Sequence, residues 1–121
     1  MNKEEIGLKR IQEILGPEAH KLIERFSNIS EDFAKYVVEL AYGDFYARDG
    51  LSDKTREVAA VSTLISQGNT GLPLKAHIRG MLNVGHTQQE VIELLLFLIP
   101  YIGFPHIVDA FMTAETVFNE M

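Results

Sequence analysis

The segment from Thr87 to Gly103, TQQEVIELLLFLIPYIG, constrains the fold more than any other part of the chain. Thr87 and Glu90 have capping-box spacing, a hydroxyl at the cap and a carboxylate three residues on, so a helix starts there. From Leu94 onward that helix is apolar almost all round, and such a helix has to be buried on every side. Pro100 breaks the run, which is too short to span a bilayer. A chain of 121 residues can hardly wrap this helix alone, so contact between subunits is expected.

The remaining sequence also reads as helix, with no run that alternates at period two. Lys3 to Leu15 places Ile6, Ile11 and Ile14 at helical period, and Gly16-Pro17 closes that helix and opens a second over Pro17 to Phe26. Ser27-Asn28-Ile29-Ser30 offers several caps for a third helix, Asn28 with Glu31 having capping-box spacing, and the inner face of that helix is read as Phe33, Tyr36, Val37, Leu40 and Ala41. Asp49-Gly50 is a turn, and Ser52 suits the cap of the next helix. Gly68-Asn69-Thr70-Gly71 breaks that helix, Pro73 starts another, and Gly85 stops it. The last helix runs from about Pro105 with Ile107, Ala110, Phe111, Ala114 and Val117 inward. These elements make one all-α domain over residues 1–121.

Two of the helices carry an ionisable residue where the spacing calls for an apolar one. In the first, Val58, Val61, Leu64 and Ile65 share a side, and Glu57 falls between the directions of Val61 and Leu64. In the second, His77 lies within the stripe Leu74, Ile78 and Met81, whereas Lys75, Arg79 and Asn83 point the other way. Packing the two apolar faces together brings a carboxylate and an imidazole into partly dry surroundings. The other histidines carry less weight: His20 and His86 flank turns and are expected at the surface. No two histidines have the helical spacing of metal ligands, so no metal site is expected.

Composition removes several function classes. The net charge is −6 with no cluster of Lys and Arg, which argues against nucleic acid as a partner. There is no cysteine, which excludes disulfides, thiolate metal sites and thiol-based peroxide reduction. Gly68-Asn69-Thr70-Gly71 lacks the lysine spacing of a phosphate loop. The N-terminal MNKEEIGLKRIQEIL has no long apolar core of a signal peptide, so a cytoplasmic protein without membrane partners is expected.

Four blocks taken in order, GLKRIQEILGPEAH, YVVELAYGDFYARDGLSDKTRE, KAHIRGMLNVGHTQQEVIELLL and YIGFPHIVDAF, resemble the carboxymuconolactone decarboxylase family over nearly the whole chain. The most specific piece is His77-Ile78-Arg79 followed by Asn83-Val84-Gly85. The resemblance implies an alkylhydroperoxidase D-like helical domain of about six to seven helices, assembled as a homo-oligomer, a hexamer or a trimer. It also implies decarboxylation of a small anionic lactone in aromatic catabolism, without a cofactor. The related peroxidases carry a Cys-x-x-Cys pair where this chain reads Thr70-Gly71-Leu72-Pro73.

Decarboxylation leaves an electron pair on carbon, which a conjugated carbonyl accepts before a proton is delivered. His77 is the expected proton donor, since imidazole titrates near neutral pH, and Glu57 orients it or shuttles the proton. Arg79 and Arg56 are the candidate cations for the anionic substrate, although helical spacing turns Arg79 away from His77. His106, Tyr42 and Tyr46 are further candidates to line the pocket. The rival reading is a non-catalytic helical oligomer that binds a small ligand or serves as an accessory protein.

Overall fold

The computed structural model describes all 121 residues, and every regular element in it is helical. The helices gather in two compact units, residues 1–53 and 54–121.

In the first unit, α1 (Lys3–Leu15) starts at Asn2, whose side chain accepts the Glu5 N–H at 2.9 Å, and ends at Gly16 with φ 69°. A 3-10 turn (Gly16–Glu18) leads into α2 (Ala19–Ile29), which runs past Phe26 to Ile29. The cap of α3 (Glu31–Lys35) is therefore Ser30, whose Oγ accepts the Phe33 N–H at 3.1 Å. Of the candidates in the segment Ser27-Asn28-Ile29-Ser30, Ser30 is the cap, and Asn28, which has the capping-box spacing to Glu31, lies inside the last turn of α2. The longer helix carries the chain two residues further before it turns extended at Ser30.

α3 continues without a break into a π-helical stretch, Tyr36–Phe45, closed by the Tyr46 N–H donating to the Ala41 carbonyl at 2.9 Å. Here the expected inner face is corrected. The buried side chains are Ala34, Val38 and Tyr42, whereas Phe33, Tyr36 and Leu40 are exposed. Backbone contact decides this. A Cβ on Gly7 of α1 would lie 2.0 Å from the Val38 carbonyl oxygen, and one on Gly43 would lie 2.6 Å from the Lys3 carbonyl oxygen. Backbones this close can meet only where one of them carries no side chain, so Gly7 and Gly43 choose the face, and Phe33, Tyr36 and Leu40 are left outside while Tyr42 turns inward.

The second unit is built from α4 (Asp53–Ser66), α5 (Leu72–Asn83), α6 (Gln88–Ile102) and α7 (Phe104–Glu120). Its core takes Val61 and Ile65 from α4, Leu74, Ile78 and Met81 from α5, Val91, Leu95 and Leu98 from α6, and Ile107, Ala110, Ala114 and Val117 from α7. Each large aliphatic buried there is worth about 1.5–3 kcal/mol. Thr87 and Glu90 form the expected reciprocal cap, at 3.0 and 2.9 Å. Gly85, with φ 112°, ends α5. The chain does not enclose α6: Leu96, Phe97 and Tyr101 stay exposed on it. No helix is long and apolar enough to cross a membrane.

The glycine contacts give a direct check. Gly7→Ala drives a methyl group into the Val38 carbonyl and should cost about 3 kcal/mol, read as a lower urea midpoint. Gly50→Ala, with open space around it, should stay within about 0.5 kcal/mol of the parent. Equal midpoints for the two variants would refute the close approach of α1.

Candidate functional site

Glu57 continues the line of Val61 and Ile65 one turn toward the start of α4, and that line faces the core. Its side chain accordingly has no exposed surface. On α5, Leu74, Ile78 and Met81 are buried, and His77 sits among them with its side chain 18% exposed. The two meet as expected: His77 Nδ1 is 2.7 Å from Glu57 Oε1. A carboxylate accepts only, so Nδ1 carries the proton of this bond and Nε2 is the ring's second nitrogen for exchange with a ligand. A buried carboxylate is costly unless its oxygens are hydrogen-bonded, and the imidazole supplies that bond to Oε1.

Local contacts hold the two helices in this register. Asn69 Oδ1 accepts the N–H groups of Gly71 and Leu74, both at 3.2 Å, and so caps α5 just after α4 has ended. At the opposite end, His86 Nε2 donates to the Lys54 carbonyl at 3.2 Å, which ties the α5–α6 loop to the first turn of α4. His86, expected at the surface, is largely covered, with only 12% of its side chain exposed and Nδ1 without a hydrogen-bond partner. Its position follows from Gly85, over which the Lys54 side chain lies, and nothing in the local sequence announces it.

The other candidates are distributed as follows. Arg79 is mostly buried and donates to Glu120 at 2.5 Å, and Lys75 donates to the other oxygen of the same carboxylate at 2.8 Å. These three residues brace α5 against the end of α7, a link between residues more than forty apart that sequence spacing does not reveal. Arg56 is half-buried beside Glu57 in sequence. His106 is exposed, its ring against Gly68, where a Cβ would come within 3.3 Å of Cε1. Tyr42 and Tyr46 belong to the first unit and stack there, ring centroids 4.6 Å apart. That unit also holds an open cleft of about 560 Å³ lined by Lys3, Leu8, Ile23, Lys35 and Val38 among others, and none of the candidate residues borders it. No three of His, Asp and Glu converge as metal ligands would.

Comparison with known proteins adds an independent line. The sequence model of the carboxymuconolactone decarboxylase family matches residues 31–116, most of the chain and all of the helices that carry Glu57 and His77. A 4-carboxymuconolactone decarboxylase of Acinetobacter baylyi is 30% identical over 95% of this chain and 86% of its own length. A nitrosuccinic acid decarboxylase of Metarhizium robertsii is 28% identical over 95% of this chain and 80% of its own. An uncharacterised 15.0 kDa protein of Paracoccus denitrificans is 28% identical over 69% of this chain and 63% of its own.

The brace on α5 has a pH signature. The hydrogen bond from Lys75, with the charges of Lys75 and Arg79, holds the Glu120 carboxyl below its ordinary value of 4.5. A carboxyl depressed in the folded state contributes stability above its unfolded value, lost as the pH falls through the folded one. The melting temperature should therefore fall more steeply below about pH 4.5 in the parent than in Glu120→Gln, where the pair is absent at every pH. Parallel curves would mean that the brace contributes nothing.

Proposed function

The chain belongs to the carboxymuconolactone decarboxylase family, and on that premise we propose that it is a cofactor-free decarboxylase of small anionic acids in which His77 delivers the proton. The observation that carries this reading is the 2.7 Å hydrogen bond between a fully buried carboxylate and a partly open imidazole on two apolar helix faces. Named relatives support a carboxy-lyase, and their two substrates differ.

The carbon–carbon bond to the leaving carboxylate breaks, carbon dioxide departs, and the electron pair passes into an acceptor on the substrate. A lactone conjugated to the reacting carbon is such an acceptor in 4-carboxymuconolactone, and a nitro group is one in nitrosuccinic acid. Protonated at Nε2, His77 then returns a proton to the electron-rich product. Glu57 fixes the ring through Nδ1 and offsets the imidazolium charge. The substrate class is accordingly a small acid whose carboxyl group sits next to, or in conjugation with, an electron-withdrawing group. Arg79 is engaged by Glu120, so we assign it to bracing α5.

The test is carbon dioxide release from 4-carboxymuconolactone and from nitrosuccinic acid by the purified protein. His77→Asn keeps an N–H where Nδ1 donates to Glu57 but has no second nitrogen to carry a proton. It should lower turnover by about 10²–10⁴. Glu57→Gln keeps the hydrogen bond and loses the charge, and should reduce kcat more than KM. Turnover unaffected by His77→Asn would sink the assignment. Ligand binding without turnover in the parent would favour the non-catalytic reading.

A further inference from the structure

The proposed chemistry makes no use of His86, whose largely covered ring holds an Nδ1 without a hydrogen-bond partner. Native structures pair nearly all their buried polar atoms, so an orphan of this kind needs a reason. Three helices meet at this residue. Its backbone N–H donates to the Met81 carbonyl in the last turn of α5 at 3.0 Å. Its Nε2 lies 3.2 Å from the Lys54 carbonyl in the first turn of α4, and its Nδ1 lies 3.8 Å from Glu90 Oε2 in the first turn of α6.

A neutral imidazole has one N–H and one bare lone pair. The groups opposite the two ring nitrogens here, a carbonyl and a carboxylate, both accept and neither donates. Whichever tautomer forms, one nitrogen turns a lone pair toward an oxygen. With the proton on Nε2 the Lys54 carbonyl is satisfied and Nδ1 is the orphan. The imidazolium has an N–H for each acceptor.

Glu90 is prepared for this contact. Its Oε1 accepts the Thr87 N–H at 2.9 Å, and that bond, with the neighbouring charges of His86 and Lys54, holds its carboxyl below the ordinary value of 4.5. Glu90 is therefore ionised at neutral pH, with Oε2 left for the ring. Its side chain is half exposed, so a small rotation closes the gap without moving the backbone. The charged groups that face His86 are Glu90 on α6 and Lys54 on α4, and from α5 it meets the Met81 carbonyl. The Lys54 ammonium, whose stem lies over Gly85, opposes a second positive charge here, and the Glu90 carboxylate favours it.

We propose that His86 is a proton-operated clasp: on protonation its Nδ1–H closes on Glu90 Oε2 while Nε2–H stays on the Lys54 carbonyl, tying the first turns of α4 and α6 together. Glu57 lies one turn beyond Lys54, so the clasp bears on the part of α4 that carries the buried carboxylate. The unfolded chain lacks this contact. Its contribution to stability is therefore present at low pH and lost as the pH rises through the range in which imidazole titrates. The proposal does not depend on the decarboxylase reading, because its test involves no substrate.

A double-mutant cycle on stability from urea unfolding, at about pH 8 and about pH 5.5 on either side of the imidazole range, decides it. Glu90→Gln keeps an oxygen for the Thr87 N–H, removes the charge, and offers an amide N–H to the bare Nδ1 of the neutral ring. Relative to the parent, its folding constant should be about 2- to 5-fold lower at the lower pH than at the higher one. In a His86→Gln background the effect of Glu90→Gln should be the same at both. Amide exchange in the first turn of α4, corrected for its intrinsic dependence on pH, should slow toward the lower pH in the parent and not in His86→Gln. An effect of Glu90→Gln that ignores pH in the parent, or one that keeps its pH dependence in His86→Gln, would overturn the proposal. So would α4 exchange with the same pH response in the parent and in His86→Gln.

Discussion

The carboxylate of Glu57, with no exposed surface, governs the second unit. An ion taken out of water costs several kcal/mol even after its surroundings relax, and only a close partner recovers that cost. α5 must therefore hold an imidazole within hydrogen-bonding distance of α4, and the rest of the unit limits how far either helix can move. Asn69 closes one end of the pair by capping α5 where α4 has just stopped, and His86 closes the other by bonding the Lys54 carbonyl. Glu120 braces the outer face of α5 through Lys75 and Arg79. An apolar core alone tolerates small slips of one helix along another. A 2.7 Å contact to a buried charge does not.

Backbone proximity plays the corresponding part in the first unit. α1 and the π-helical stretch meet at Gly7 and Gly43, closer than any side chain permits. Where the π-helical stretch ends, Arg10 gathers the loose ends: Nε donates to the Tyr46 carbonyl at 2.9 Å, and the guanidinium pairs with Glu13 and Asp53. Burial disfavours the charge on Arg10, but the two carboxylates outweigh it and raise its pKa. Stretches of π-helix are uncommon and recur at sites under special constraint. Here the constraint is the neighbouring backbone, which fixes the face that turns inward.

These two regimes explain which parts of the structure were legible in the sequence. The Glu57–His77 pair could be read because each residue interrupts an apolar stripe, and the stripe determines its direction. The Thr87–Glu90 cap and the stop at Gly85 were legible for a similar reason: a local residue type satisfies a local backbone need. The pattern misled where a distant backbone made the choice. Phe33, Tyr36 and Leu40 do form an apolar stripe, but Gly7 selects Ala34, Val38 and Tyr42 for burial instead. His86 looked like a loop residue because its cover comes from Lys54, more than thirty residues earlier. The engagement of Arg79 by Glu120 was hidden in the same way.

The unequal burial of the pair also separates the roles within the proposed chemistry. With no exposed surface, Glu57 cannot touch a substrate unless α4 and α5 part, whereas His77 keeps part of its ring open. Direct proton exchange with a substrate therefore falls to His77, and Glu57 acts through it as a positioning residue. A proton shuttle by Glu57 itself, which the sequence left open, would require the carboxylate to leave the contact that stabilises it. The arrangement also leaves the choice of substrate largely outside the pair. A proton donor serves any carbanion that forms beside it, and the electron acceptor belongs to the substrate. Under the proposed chemistry, discrimination among substrates therefore has to come from side chains that meet the acceptor group.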